Sequence, residues 1–126
     1  MLIETAEEFI KRKNKEYLEK EKLISVKDVG RKGKILFKRE AWVFMPQHNL
    51  PQKVFIFERF RREKVIGKTA YNLISNAEIE YRIGYYIIGK IGNKNGRWTW
   101  GQYCPIIPLQ DFQKLISLAK RRGVLL

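Results

Sequence analysis

The stretch Ala77-Glu78-Ile79-Glu80-Tyr81-Arg82-Ile83-Gly84-Tyr85-Tyr86-Ile87-Ile88-Gly89-Lys90-Ile91, continued by Gly92-Asn93-Lys94-Asn95-Gly96-Arg97-Trp98-Thr99-Trp100, decides the fold. Apolar and polar residues alternate through its first part, the period of a strand. Ala77, Ile79, Tyr81, Ile83, Tyr85, Ile87 and Ile91 fall on one side, and Glu78, Glu80, Arg82, Tyr86 and Lys90 on the other. Asn95-Gly96 is a strong hairpin signal, because a type I′ turn needs positive φ at both central residues. A turn centred there sets Ile91 opposite Trp100, Gly89 opposite Gln102 and Ile87 opposite Cys104. Trp98 and Trp100 then continue the Ile/Tyr side, with Cys104 turned inward. Gly84 and Gly89 read as bulges or points of close approach.

Working toward the N-terminus, residues 53–62 and 34–44 read as strands, preceded by a short one at Ile24 and Val26. Gly30-Arg31-Lys32-Gly33 is a turn, and residues 67–76 form a loop or short helix. Met45-Pro46-Gln47-His48-Asn49-Leu50-Pro51 is expected to be a loop, since two prolines argue against a central strand. Before the sheet, Thr5-Ala6-Glu7-Glu8 is a capping box opening a helix to about Lys22. Glu7/Lys11, Glu8/Arg12 and Glu16/Lys20 would support it at four-residue spacing. Its apolar stripe of Ala6, Phe9, Ile10 and Tyr17 is narrow, which predicts weak docking. After Pro105 and Pro108, Leu109, Phe112, Leu115, Ile116 and Ala119 recur at helical spacing up to Gly123, a candidate C′ residue. The expectation is one α+β domain over residues 1–126. Residues 1–22 form the N-terminal helix, 23–107 a twisted, mainly antiparallel sheet of about five strands, and 108–122 the C-terminal helix.

With 126 residues, 44% apolar and 31% charged, the composition is that of a globular domain. One cysteine cannot form a disulfide within the chain, and one histidine beside it does not make the usual structural zinc site. No cofactor is expected. Neither a signal peptide nor a membrane span is legible, so a cytoplasmic setting is expected.

The 26 Lys and Arg exceed the 13 Asp and Glu by 13, and the excess is uneven. Residues 1–22 hold six bases and six acids, so the rest of the chain carries all of it. A polyanion is the partner such a balance suggests. Phe57-Glu58-Arg59-Phe60-Arg61-Arg62-Glu63-Lys64 packs four bases among aromatic rings. The hairpin register places Arg82, Tyr86, Lys90, Lys94, Arg97 and Tyr103 on the sheet face away from the tryptophans. Cations neutralise phosphates and release counterions, while exposed rings stack bases without reading sequence. The expected function is therefore a nucleic-acid-binding module, with RNA or single-stranded DNA favoured. Its site is Arg59, Arg61, Arg62, Lys64, Arg82, Tyr86, Lys90, Lys94, Arg97 and Tyr103, on an open sheet face.

Two other classes stand beside this one. Glu58, Glu78 and Glu80 could share a face and hold a divalent cation in a small nuclease; alternatively, the acids pair with Arg59, Arg61 and Arg82 across the sheet. The third class is an interaction module for an acidic protein, with self-association through the N-terminal helix. His48 and Cys104 read as a surface histidine and an inert buried cysteine rather than a catalytic dyad. Gly67-Lys68-Thr69 lacks the glycine a phosphate loop needs, Arg62 standing in its place. Gly84-Tyr85-Tyr86 and Ile88-Gly89 are similar to halves of the GIY-YIG nuclease signature. Here they overlap on one strand, whereas that family keeps them on two.

Overall fold

The computed structural model describes residues 2–20, 22–27, 32–67 and 77–126. Arg31 at the expected turn tip, and the expected loop beyond Gly67, lie outside the described residues. Five strands, β1 (Leu23–Lys27), β2 (Lys34–Gln47), β3 (Leu50–Ile66), β4 (Ile79–Ile88) and β5 (Trp98–Trp100), lie side by side in chain order. Every neighbouring pair is antiparallel. Helix α1 (Ala6–Glu19) precedes them and α2 (Leu109–Arg121) follows, giving the α+β chain that the sequence predicts. Neither helix is long and apolar enough to cross a membrane.

The segment 45–51 is not a loop. β2 runs on through Pro46 to Gln47, turns at His48-Asn49, and β3 begins at Leu50. The proline rule applies to strands paired on both sides, and here each proline sits where one side is bare. β1 pairs with β2 from Lys34 to Lys38, so Pro46 belongs to a rim. β4 pairs with β3 from Lys53 to Arg61, so Pro51 lies beyond its reach.

The hairpin between β4 and β5 also differs from expectation. Asn95 has φ −58° and ψ 125°, and Gly96 has φ 74°. With Arg97 N donating to Lys94 O at 3.0 Å, Asn95-Gly96 forms a type II turn rather than type I′. A 3-10 turn at Gly92–Lys94 lengthens the loop, and the pairs become Tyr86 with Trp100 and Ile88 with Trp98. Trp100 faces Tyr86 instead of Ile91, an odd shift, and an odd shift moves every side chain to the opposite face. Gly84 makes room for this arrangement, because a Cβ there would collide with the Trp100 ring. Cys104 is exposed, not turned inward.

Both sheet faces are covered. On one, Val43, Phe55 and Phe57 pack against Leu115 and Ala119 of α2 and against Val124. On the other, Phe44, Val54 and Ile56 pack against Ala6, Ile10 and Tyr17 of α1, with Tyr86, Trp98 and Trp100 in the same layer. A third cluster, Ile35, Phe37 and Phe60, joins Ile24 and Val65 at the β1 side.

Helix α1 starts as its capping box predicts: Glu8 N donates to Thr5 Oγ1 at 3.2 Å, and Thr5 N to Glu8 Oε1 at 3.1 Å. Glu8 is thereby engaged, and Arg12 turns back to Glu4, with Nε to Oε2 at 2.8 Å. That pair holds the Glu4 carboxyl below its ordinary range. Docking is stronger than the narrow stripe predicts. Phe9 is fully buried, with ring centroids 4.7 Å from Trp98 and 4.9 Å from Tyr86. Trp98 Nε1 donates to Glu4 O and Trp42 Nε1 to Asn14 Oδ1, both at 2.8 Å. Burial of a side chain like Phe9 stabilises by about 1.5–3 kcal/mol.

Helix α2 ends in a Schellman motif. Gly123, with φ 73°, donates N–H to Lys120 O, Val124 donates to Ala119 O, and Val124 packs beneath. At the other end the expected apolar stripe is turned: Leu109 and Phe112 are exposed while Asp111 is buried. Asp111 accepts from His48 N and sits 2.7 Å from His48 Nδ1, tying α2 to the β2–β3 turn.

Candidate polyanion-binding surface

The cations expected to form one open site divide into two groups. Arg59, Arg61, Arg62 and Arg82 belong to the sheet, where Arg59 and Arg62 are mostly buried and Arg61 and Arg82 are part-exposed but tied to carboxylates. Lys64, Lys90, Lys94 and Arg97 are exposed, as is Tyr103 at 81%.

A β-bulge organises the first group. On β2, Arg39 pairs with Phe60 and Ala41 with Arg59, so Glu40 is the extra residue. The bulge re-aims Glu40 onto the α2 side of the sheet, between Arg59 and Arg61. Arg59 Nε donates to Glu40 Oε1 at 2.8 Å, and Arg61 Nε to Oε2 at 2.9 Å. Arg59 Nη1 also donates to Gly123 O at 2.6 Å, where it satisfies a carbonyl just past the helix end. Arg61 and Arg59 together hold the Glu40 carboxyl below the ordinary range, Arg61 contributing most.

The α1 side carries the matching arrangement. Glu58, fully buried, accepts Arg39 Nε at 2.7 Å and Arg82 Nε at 2.8 Å. The Arg82 guanidinium lies 4.6 Å from the Trp100 ring centroid and 4.8 Å from that of Phe60. Each acid thus binds two arginines, and charge-assisted hydrogen bonds at these distances are the strong kind. Arg62 is 3% exposed, too deep to meet a phosphate.

Tyr86 is not available as a stacking platform, because α1 lies over it. Its hydroxyl meets the Tyr17 hydroxyl at 2.9 Å, and its ring is edge-on to Trp100. Burial pushes both phenols up from their ordinary value. The expectation of an open, ring-studded sheet face is overturned for this residue by the helix that covers it.

Glu58 cannot serve as a metal ligand in this arrangement, since guanidinium groups hold both its oxygens. Among the described residues, no group of three or more His, Cys, Asp or Glu is placed to hold a metal ion. The interpretation of these acids as cross-strand partners of arginine is the one the geometry supports for Glu58 and Arg82.

The exposed group follows a different pattern. Lys90 and Arg97 flank the 3-10 turn between β4 and β5, Lys94 is its last residue, and Tyr103 lies three residues past β5. Lys120, Arg121 and Arg122 are exposed at the end of α2. None of these cations has an acidic partner among the described residues. A further cation-rich place was not legible beforehand: a cavity of about 280 Å³ lined by Tyr17, Lys20, Lys22, Lys38, Arg39 and Glu63. Charge summed over residues 1–22 is neutral, which hid Lys20 and Lys22, and cross-strand pairing brings them to Lys38 and Arg39. No family model, curated protein or solved structure matches this chain.

Proposed function

We propose that the protein is a non-catalytic nucleic-acid-binding module that grips single-stranded RNA or DNA along its β4–β5 margin. Lys90, Lys94 and Arg97 neutralise phosphates, and Tyr103 offers the stacking ring. The observation that carries the proposal is the separation of charge. Two of the sheet's acids, Glu40 and Glu58, are engaged by its arginines, and the lysine excess faces outward with few acids against it. Arg97 and Tyr103 are six positions apart, at most about 20 Å of extended chain, so one short strand can meet both. Groove reading of a duplex fits less well, since α2 lies on the sheet and presents no separate recognition element. A cytoplasmic setting, where such strands occur, accompanies this reading. Self-association through α1 would use its outer side, because the Phe9 side is occupied by the sheet.

The test is a salt series with single-stranded RNA, single-stranded DNA and duplex. The logarithm of affinity should fall linearly with that of salt, and replacing Lys90, Lys94 and Arg97 by Gln should reduce the slope by about 2, at about 0.7 per phosphate contact. An affinity that stays flat with salt overturns the proposal.

A further inference from the structure

The cavity at the C-terminal end of α1 has a composition that the margin site lacks. Lys20 is the residue that ends α1, Lys22 immediately precedes β1, and Lys38 is the partner of Leu23 across the β1–β2 ladder. Lys20, Lys22, Lys38 and Arg39 thus line one cavity. Glu63 is the one acid among the described residues lining it.

Arg39 is the informative member. Its side chain is 12% exposed, its guanidinium carbon lies 3.7 Å from the Tyr17 ring centroid, and its Nε is held by Glu58. Neither Nη atom has a hydrogen-bond partner among the described residues. The guanidinium is thus fixed in place by a carboxylate and a ring, with its two terminal amino groups uncommitted. That is the arrangement that receives two oxygens of one oxyanion. Tyr17 adds no opposing charge, since burial and its bond to Tyr86 keep the phenol protonated.

We infer that this cavity is a binding site for a phosphate monoester, held by the Arg39 Nη atoms with Lys20 and Lys22 as neutralising charges. A monoester carries close to two negative charges, against one for a phosphodiester, and four cations beside one acid among the described lining residues suit it. The volume admits a phosphoryl group with little more than a sugar, below the usual range for larger ligands of about 300–1,000 Å³. Arg39 occupies the Tyr17 face that a base would need, so the site takes the phosphoryl end and leaves the base unread. The monoester could be a mononucleotide or the phosphorylated end of a strand. The inference stands apart from the margin site and needs none of its residues.

The experiment measures binding of four probes to the full chain and to a Lys20→Gln/Lys22→Gln variant. They are a short single strand phosphorylated at both ends, the same strand with hydroxyl ends, a nucleoside monophosphate and its nucleoside. Both replaced side chains are exposed, so the variant keeps its fold, which circular dichroism checks. At least one phosphorylated probe should bind about tenfold tighter than its hydroxyl counterpart, and the advantage should shrink to within about twofold in the variant. An advantage in the strand pair identifies strand ends as the source, and an advantage in the nucleoside pair alone identifies the free nucleotide. Equal binding within both pairs, or an advantage that survives in the variant, overturns the inference. Failure of the margin site would instead appear as salt-independent affinity of the hydroxyl-ended strand, leaving the nucleoside pair to test the cavity.

Discussion

At Arg59, Arg61 and Arg82 the sheet sets its guanidinium groups onto two carboxylates, whereas between Lys90 and Arg97 the loop between β4 and β5 turns its cations out to solvent. The two regions are close in sequence and similar in charge, yet their chemistry differs with the side chain used. A guanidinium is planar, weakly hydrated and forked, so it can be buried against a carboxylate or a ring. An ammonium is compact and strongly hydrated, and it stays outside. Counting Lys and Arg together measures the charge of the molecule but not where it can act. Arg59 and Arg61 look like a ligand surface in the sequence and act as fasteners to Glu40 in the fold.

The comparison breaks most severely at Glu58. Glu58→Ala leaves Arg39 and Arg82 in partly buried places without their carboxylate, and should destabilise the fold by about 3–5 kcal/mol in urea melts. The salt slope of strand binding should not move. Glu40→Gln tests the companion pair, with an expected loss of about 1.5–3 kcal/mol near neutral pH. Because Glu40 is held below its ordinary pKa in the fold, its contribution is present above the unfolded-state carboxylate value. It is lost as pH falls through the lower folded value, so the wild-type acid limb should be steeper than that of the variant. Tyr103→Ala probes the outer region and should cost about 1–3 kcal/mol of strand affinity while melting as wild type. The smallest stability effect is expected for Lys90→Gln, Lys94→Gln and Arg97→Gln combined, within about 0.5 kcal/mol. A large stability loss there would mean that the outer cations are fasteners too, and the distinction between the regions would fall.

Much of the architecture is legible in local signals. The capping box at Thr5 and Glu8 and the C′ glycine at position 123 each depend on a few adjacent residues, and the structure bears them out. The alternation through residues 79–88 likewise marks β4. What failed depends on neighbours distant in sequence. Pro46 is allowed in β2 because β1 stops short of it, and no local pattern reveals where a partner strand stops. Asn95-Gly96 admits more than one turn type, and the choice carried Trp98 and Trp100 to the face under α1. Once they moved, Tyr86 went with them into the interior. The exposed half of the candidate site, Lys64, Lys90, Lys94, Arg97 and Tyr103, was readable as cations and a ring in turns or at margins. The buried half was legible only in part: cross-strand pairing of Glu58 with Arg82 is one of the readings the sequence offers, whereas nothing near Arg59 or Arg61 in sequence announces Glu40 as their neighbour or as a bulge.

The outer rim of β2 past Lys38 has no strand beside it among the described residues. An unpaired rim is where foreign chains add on and aggregates begin to grow. Here an incoming strand would meet a break in the ladder at Glu40 and, at Pro46, a position with no N–H to offer. The same two residues that complicate reading this strand thus guard it against polymerisation, a property of value in a chain with as many Ile, Phe and Tyr as this one.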